Sequence, residues 1–196
     1  MKPAKKDFAT LSGLPAQVVA DLSEFMEEFA DTYFSTTGAA LRAADPNHLV
    51  FGPVSLRVDA KEEILRAEGR HVDVVVVNVP PEELPNLARV YDISGKPVLI
   101  RIARTANADS PLAGFSSSRS NDYPTQEGRG RAYAETVEFA LNATGADNTK
   151  FVIGLGFWSW VDKVVGGEKF NFGLVSYTLD NAYDGVEARV GPGTDP

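Results

Sequence analysis

The chain has no cysteine and only two histidines, His48 and His71, in 196 residues. Disulfides are therefore excluded, and a zinc site of the Cys/His type lacks its ligands. Basic residues are in deficit: 19 Lys and Arg stand against 27 Asp and Glu, a net charge of -8. Nucleic-acid binding rests on Lys and Arg set against phosphates, so this balance argues against it. No apolar run reaches the roughly 20 residues that a membrane-spanning helix needs. The N-terminal MKPAKKDFAT is basic but has no apolar core, so no signal peptide is expected. No glycine-rich run joins a strand to a helix; Gly166-Gly167 and Gly191-Pro192-Gly193 stand elsewhere. A phosphate-binding loop is thus not expected, and no metal or other cofactor is implied. Asn142-Ala143-Thr144 is a glycosylation sequon, of consequence only in a secreted chain.

What remains is 43% hydrophobic, enough for one well-cored domain. We expect an extension over 1–14, a domain over 15–190 and a tail over 191–196. In the stretch 15–44, Val18, Leu22, Phe25, Phe29 and Tyr33 recur at helical spacing among acids. Pro15 suits a first helical position, and Asp45-Pro46 ends the helix. A short apolar run follows over 48–54. A second helix is expected over 60–69 with Gly69 as its C-cap. The run Val72 to Val79 is the clearest strand. A short helix interrupted near Pro85 and a third strand over 97–103 come next. The span 104–124 is a long polar loop, either an ordinary surface loop or a functional one. Thr125 caps a helix to about Leu141. The segment 161–179 reads as irregular or locally paired, and 180–190 as a last short helix. Strands alternating with helices imply an α/β fold with parallel strands.

The stretch 151–175 carries most of the chemistry. Its apolar run ends in Phe157, Trp158 and Trp160, with Asp162 just beyond, and both tryptophans of the chain lie here. An unbroken apolar run reads as a strand buried on both faces. Neighbours on a strand point to opposite faces. So at least one of these aromatics is expected to line a cavity or face solvent.

Several segments, in order, resemble the second half of a clan A glycoside hydrolase barrel, of the agarase-like and β-galactosidase-like kind. They are 33–51, Val72-Asp73-Val74 through Asn78, Lys96-Pro97-Val98-Leu99-Ile100, and Thr125-Gln126 through Tyr133. The stretches 158–162, Gly167-Glu168 and Asn171-Phe172-Gly173-Leu174-Val175, and the turn Asp180-Asn181-Ala182-Tyr183, continue the series. The resemblance implies two carboxylates flanking a glycosidic bond. It puts the acid/base at the end of a strand ahead of residue 1, so this chain is not expected to carry it. It puts the nucleophile two positions after KPVLI, which here is Ile102. An isoleucine cannot attack an anomeric carbon. Other family positions are likewise emptied: its arginine falls on Val54, its tyrosine on Pro80, its histidine on Gly156 and its stacking tryptophan on Phe157. Frame-building residues are kept while site positions become apolar or small, which suggests a degenerate or engineered site.

The chemistry left over is sparse. Asp162 is the one stand-in for a catalytic carboxylate, and with Glu168 it reads either as an acid pair or as a solvated or hydrogen-bonded turn. Arg101 and Arg104 suit an exposed salt bridge better than an anion site. Ser116-Ser117-Ser118 has no histidine near it in sequence, which argues against a serine nucleophile. Ligand contact is expected from Phe157, Trp158, Trp160, Asn78, Glu168 and Asn171; Asn78 reads equally as a turn-initiating residue before Pro80-Pro81, and the flat aromatic faces suit a sugar ring or, equally, a partner surface. A full barrel takes eight strands and about 250 residues, whereas four are read here. The expected fold is four βα units forming a half (β/α)8 barrel. A homodimer or other self-assembly would cover its open edges. Three functions stand: a saccharide- or apolar-ligand-binding half barrel without glycosidase activity alone, a galactan- or agar-type hydrolase active only when assembled, and a structural assembly module.

Overall fold

The computed structural model describes residues 14–53, 56–79, 81–103, 105–110, 112, 122–164, 170–177 and 182–183. The expected N-terminal extension before residue 14 and the tail over 191–196 lie outside these residues. So do Val54, Pro80, Arg104, Ser116, Ser117, Ser118, Gly166, Gly167, Glu168 and the side chain of Ile102.

Helix α1 runs Ala16–Ala44, with Pro15 as its cap residue, one place before the expected position. Its C-terminus falls as expected, where the Asp45 amide donates to the Leu41 carbonyl at 2.8 Å. Helix α2 runs Glu62–His71. The apolar residues of α1 occupy two adjoining faces. Ala30 and Phe34 are buried against Ala67 and Ile64 of α2. Leu22, Phe25, Phe29 and Tyr33 face outwards, 42–67% exposed. Ion pairs stitch α1 to α2: Glu27 to Arg66 and Arg70, and Asp31 to Arg70, with His71 Nε2 also in hydrogen-bond contact with Asp31 Oδ1 at 2.8 Å. These groups are part exposed, so water and salt screen each pair and their contribution to stability is small.

Four parallel strands form the main sheet: β1 (Leu56–Arg57), β2 (Val75–Asn78), β3 (Val98–Ala103) and, last in the chain, β6 (Val152–Phe157). Their spatial order is β1-β2-β3-β6, which leaves β1 and β6 at the edges. The expected first strand over 48–54 shows only a bridge, Phe51 to Val74, before the ladder resumes at β1. Val75, Val77, Val98 and Ile100 are fully buried with Leu65 of α2 and with Leu87 and Val90 of α3 (Leu87–Ser94). A 3-10 turn, Pro81–Asn86, precedes α3. Each such side chain contributes about 1.5–3 kcal/mol. Val76, on the other face of β2, is also buried, so this strand has the two-sided burial its sequence predicts.

Three sequence expectations are corrected. Gly69 is not a C-cap: α2 continues past it, and an added Cβ there would overlap the Ser94 carbonyl. The left-handed glycine cap occurs after α3, at Gly95, where φ is 66°. Strand β6 is not buried on both faces, and Ile153 is 55% exposed. It is an edge strand, and breaks in its register with β3 disturb the alternation of its side chains. Finally, the polar loop over 104–124 holds two short parallel strands, β4 (Ala106–Asn107) and β5 (Asp122–Tyr123). Thr105, Asn107, Asp109 and Ser110 are buried, so this part is not a surface loop. Helix α4 (Gln126–Asn142) begins as expected, with Thr125 Oγ1 accepting from the Gly128 amide. The segment after β6 is locally paired, Val161 with Val175 and Lys163 with Phe170. Most of the expected last helix lies outside the described residues. Among those residues no helix is long and apolar enough to cross a membrane.

Candidate functional site

Because the four strands are parallel, their C-terminal ends share one side of the sheet, where parallel α/β proteins build their sites. Asn78 ends β2, half-buried, and pairs in register with Ile102 of β3. Phe157 ends β6, and Trp158, Ser159 and Trp160 follow it directly. The Trp158–Ser159 peptide is cis.

The aromatics separate. Trp160 is 70% exposed, the solvent-facing ring that alternation required. Trp158 lies under the guanidinium of Arg101, 4.9 Å from the ring centroid. The exposed salt bridge expected of Arg101 is not found among the described residues; its partner is a ring, a contact worth about 0.5–1 kcal/mol at such a site. Phe157 turns towards α4 and packs edge-on against Tyr133, 5.3 Å between centroids. It lines a cavity of about 380 Å³ with Thr105, Gln126, Arg129, Gly130, Tyr133 and Leu174. The three rings therefore do not form one platform. Gly156 has a structural reason to be glycine, since an added Cβ would stand 2.7 Å from the Arg101 carbonyl oxygen.

Asp162 is 4% exposed, so of its two non-catalytic readings the hydrogen-bonded turn holds and the solvated loop does not. Its Oδ1 accepts from the Gly173 amide at 2.7 Å. Its Oδ2 accepts from the hydroxyls of Ser110 and Tyr183. Three of a carboxylate's roughly four acceptor positions are thus occupied within the protein. Asn171 is fully buried, and its Nδ2 donates to the Asn107 carbonyl.

Around Asp162 lies a polar network that sequence reading missed. Arg129, in the first turns of α4, is 4% exposed. Its Nη2 donates to the carbonyls of Phe172 and Gly173, and its Nη1 to Gln126 Oε1. Gln126 Nε2 in turn donates to Asn107 Oδ1 and Asp109 Oδ2. Burial pushes the Arg129 guanidinium below the usual arginine range, opposed by the charges of Asp162, Tyr183 and Asp109. One signal was available. Arg129, Tyr133, Thr136 and Ala140 fall on one helical face, so a charged residue sat on the stripe that turns inward. Among the described residues no three His, Asp or Glu side chains come together as a metal site.

No protein-family model matches the chain. It is 28% identical over 183 residues to "Beta-agarase B" of Vibrio sp. (strain JT0107), covering 89% of this chain and 18% of that protein. Among solved structures, the agarase AgWH50C aligns with a TM-score of 0.67 at 24% identity, over 88% of this chain and 26% of that one. An exo-β-agarase aligns with a TM-score of 0.66 at 23% identity, over 84% and 22%. The chain is therefore similar to glycoside hydrolases of the agarase kind, and it shares their α/β fold with a parallel sheet. It spans about a fifth to a quarter of the length of these relatives.

Proposed function

We propose that this chain is an agarase-like half barrel that binds a saccharide at the C-terminal ends of its strands and does not hydrolyse it alone. The observation that carries the reading is the place of Ile102. It pairs with Asn78 at the ends of β3 and β2, and the resemblance assigns this position the nucleophile. A glycosidase needs a carboxyl group there. Trp158 and Trp160 supply the aromatic surface for a sugar ring, and Asn78 ends β2 on the same side of the sheet.

The test is a titration of intrinsic tryptophan fluorescence with agarose-derived oligosaccharides, run beside an assay of aryl glycoside hydrolysis. We expect a saturable fluorescence change, an affinity reduced roughly tenfold (~1.4 kcal/mol) in Trp160→Ala, and no hydrolysis above background. No response to any sugar would remove the binding reading and favour a structural role. Hydrolysis above background by the wild-type chain would instead support the second reading, an agar-type hydrolase completed by a partner. The similarity to a β-agarase keeps that reading in play.

We further propose that a second copy completes the fold. The edge strands β1 and β6 close off opposite ends of one parallel sheet. A twofold copy can set β6 of each chain beside β1 of the other, and the outer face of α1 then covers the joint. Light scattering after size exclusion should give twice the chain mass. Phe25→Glu with Phe29→Glu should return it to the monomer. A wild-type chain that stays monomeric at all concentrations removes the proposal.

A further inference from the structure

We propose that Arg129 and Asp162 form a clasp that positions the loop carrying Trp158 and Trp160. They are positioning residues, because neither touches a reacting group. The ligand arm of this inference rests on the saccharide reading above, while the geometry stands apart from it.

The loop is held in layers. Its backbone is first zipped to the segment 170–175. The amides of Leu174 and Val175 both donate to the Trp160 carbonyl at 3.0 Å, and the Asp162 amide donates to Val175 at 3.1 Å. Asp162 Oδ1 takes the Gly173 amide, which locks the same two strands of chain from the side-chain direction. An added Cβ at Gly173 would overlap the Asp162 amide, so the approach of the two segments requires glycine.

The second layer fixes segment 170–175 to α4. Arg129 Nη2 donates to the Phe172 carbonyl at 3.1 Å and the Gly173 carbonyl at 2.9 Å. The third layer runs to the segment after β3. Ser110 donates to Asp162 Oδ2, and Asn107 and Asn171 exchange bonds, with the Asn107 amide on the Asn171 carbonyl at 2.7 Å. Trp160 itself, 70% exposed, has little packing to fix it. Its position is inherited from the backbone that the clasp holds.

The chemistry suits this role. Both charged groups are almost wholly buried, and charge-assisted hydrogen bonds in such surroundings are short and strong. Their partners belong to one loop and its supports. None belongs to the valine and leucine core of the sheet. Loss of the clasp should therefore loosen the aromatic loop locally and leave the sheet intact.

The experiment uses the full chain with three substitutions: Asp162→Asn, Arg129→Lys and Ser110→Ala. Near-ultraviolet circular dichroism and acrylamide quenching follow the tryptophans, while far-ultraviolet circular dichroism and Tm follow the fold. Asp162→Asn should raise the quenching constant about twofold and flatten the tryptophan bands with the far-ultraviolet spectrum unchanged. Arg129→Lys keeps the charge but loses the two-pronged grip on the carbonyls, and should shift the same signals. Ser110→Ala removes one of three donors and should shift them less. It decides the matter if Asp162→Asn does not fold. Tryptophan signals that stay fixed while Tm falls overturn the clasp. Where wild type binds agarose-derived oligosaccharides, Asp162→Asn should lower the affinity, because the loop that carries the two rings is no longer held in one position. Absence of sugar binding in wild type would defeat the saccharide reading alone, since quenching tests the clasp without it.

Discussion

Replacing Glu68 with glutamine should flatten the dependence of stability on pH between pH 5 and pH 8. Glu68 lies on α2, fully buried, and neither carboxyl oxygen has a hydrogen-bond partner among the described residues. Burial pushes its pKa up from 4.5 to about 8. The unfolded chain loses this proton near pH 4.5, whereas the folded one keeps it. The contribution of Glu68 to stability is therefore greatest below pH 4.5 and falls as pH rises, by about 1.4 kcal/mol per unit, until pH 8 is passed. The whole effect is about 5 kcal/mol, of which about 3 kcal/mol has been lost at pH 7.

The other shifted carboxyls act with the opposite sign. The Arg57 guanidinium holds Asp59 below its ordinary value, and the bond from the Val50 amide does the same for Asp73. Their stabilisation is complete above about pH 5 and is lost only as pH falls through their folded pKa values. Urea unfolding at pH 5, 6.5 and 8 separates the two groups of carboxyls. Wild type should lose stability across the series, and Glu68→Gln should hold nearly level. Parallel lines for the two proteins would show that Glu68 is not the buried acid described here. The partner of this acid is a space: Glu68 fills the place where Gly52 has no Cβ, and any side chain there would overlap Oε1.

The second large effect is expected at Gly69. Alanine there should cost about 3 kcal/mol, the upper part of the range for overpacking. The added Cβ meets the carbonyl of Ser94, a backbone atom at the end of α3. Ser94 cannot yield easily. Its Oγ donates to the Val90 carbonyl at 2.7 Å and accepts from the Lys96 amide, and Gly95 then reverses the chain. So α2 and α3 must move apart, which opens the core around Leu65, Leu87 and Val90. Gly130 of α4 supplies the control. A Cβ there meets nothing within 4 Å, so Gly130→Ala should gain about 0.5–1 kcal/mol through helix propensity. Denaturation midpoints that move the same way for both variants would refute the close-packing explanation.

These two glycines show where sequence reading stops. Gly69 stood at the end of an apolar-patterned helix, the usual place for a cap. Its true role, the near contact of two helices distant in sequence, leaves no mark in local pattern. Asp162 gives the same lesson at the site. In sequence it was an acid beside aromatics at a strand end. Its partners Ser110, Gly173 and Tyr183 come from three other places along the chain.

Much was legible nonetheless. Helical spacing fixed α1 almost to the residue, the valine run marked β2, and Thr125 marked the start of α4. Such signals survive in one dimension because they arise from neighbours within a few residues. The order of the segments also carried the likeness to agarase-type hydrolases. Tertiary structure alone decided the rest. It split the aromatics between solvent, Arg101 and the α4 cavity, and it buried Arg129 beneath the loop. It left β6 at an edge and Glu68 without a hydrogen-bond partner among the described residues. These are contacts between distant segments, and their energies depend on burial and dielectric surroundings that form only when the chain has folded.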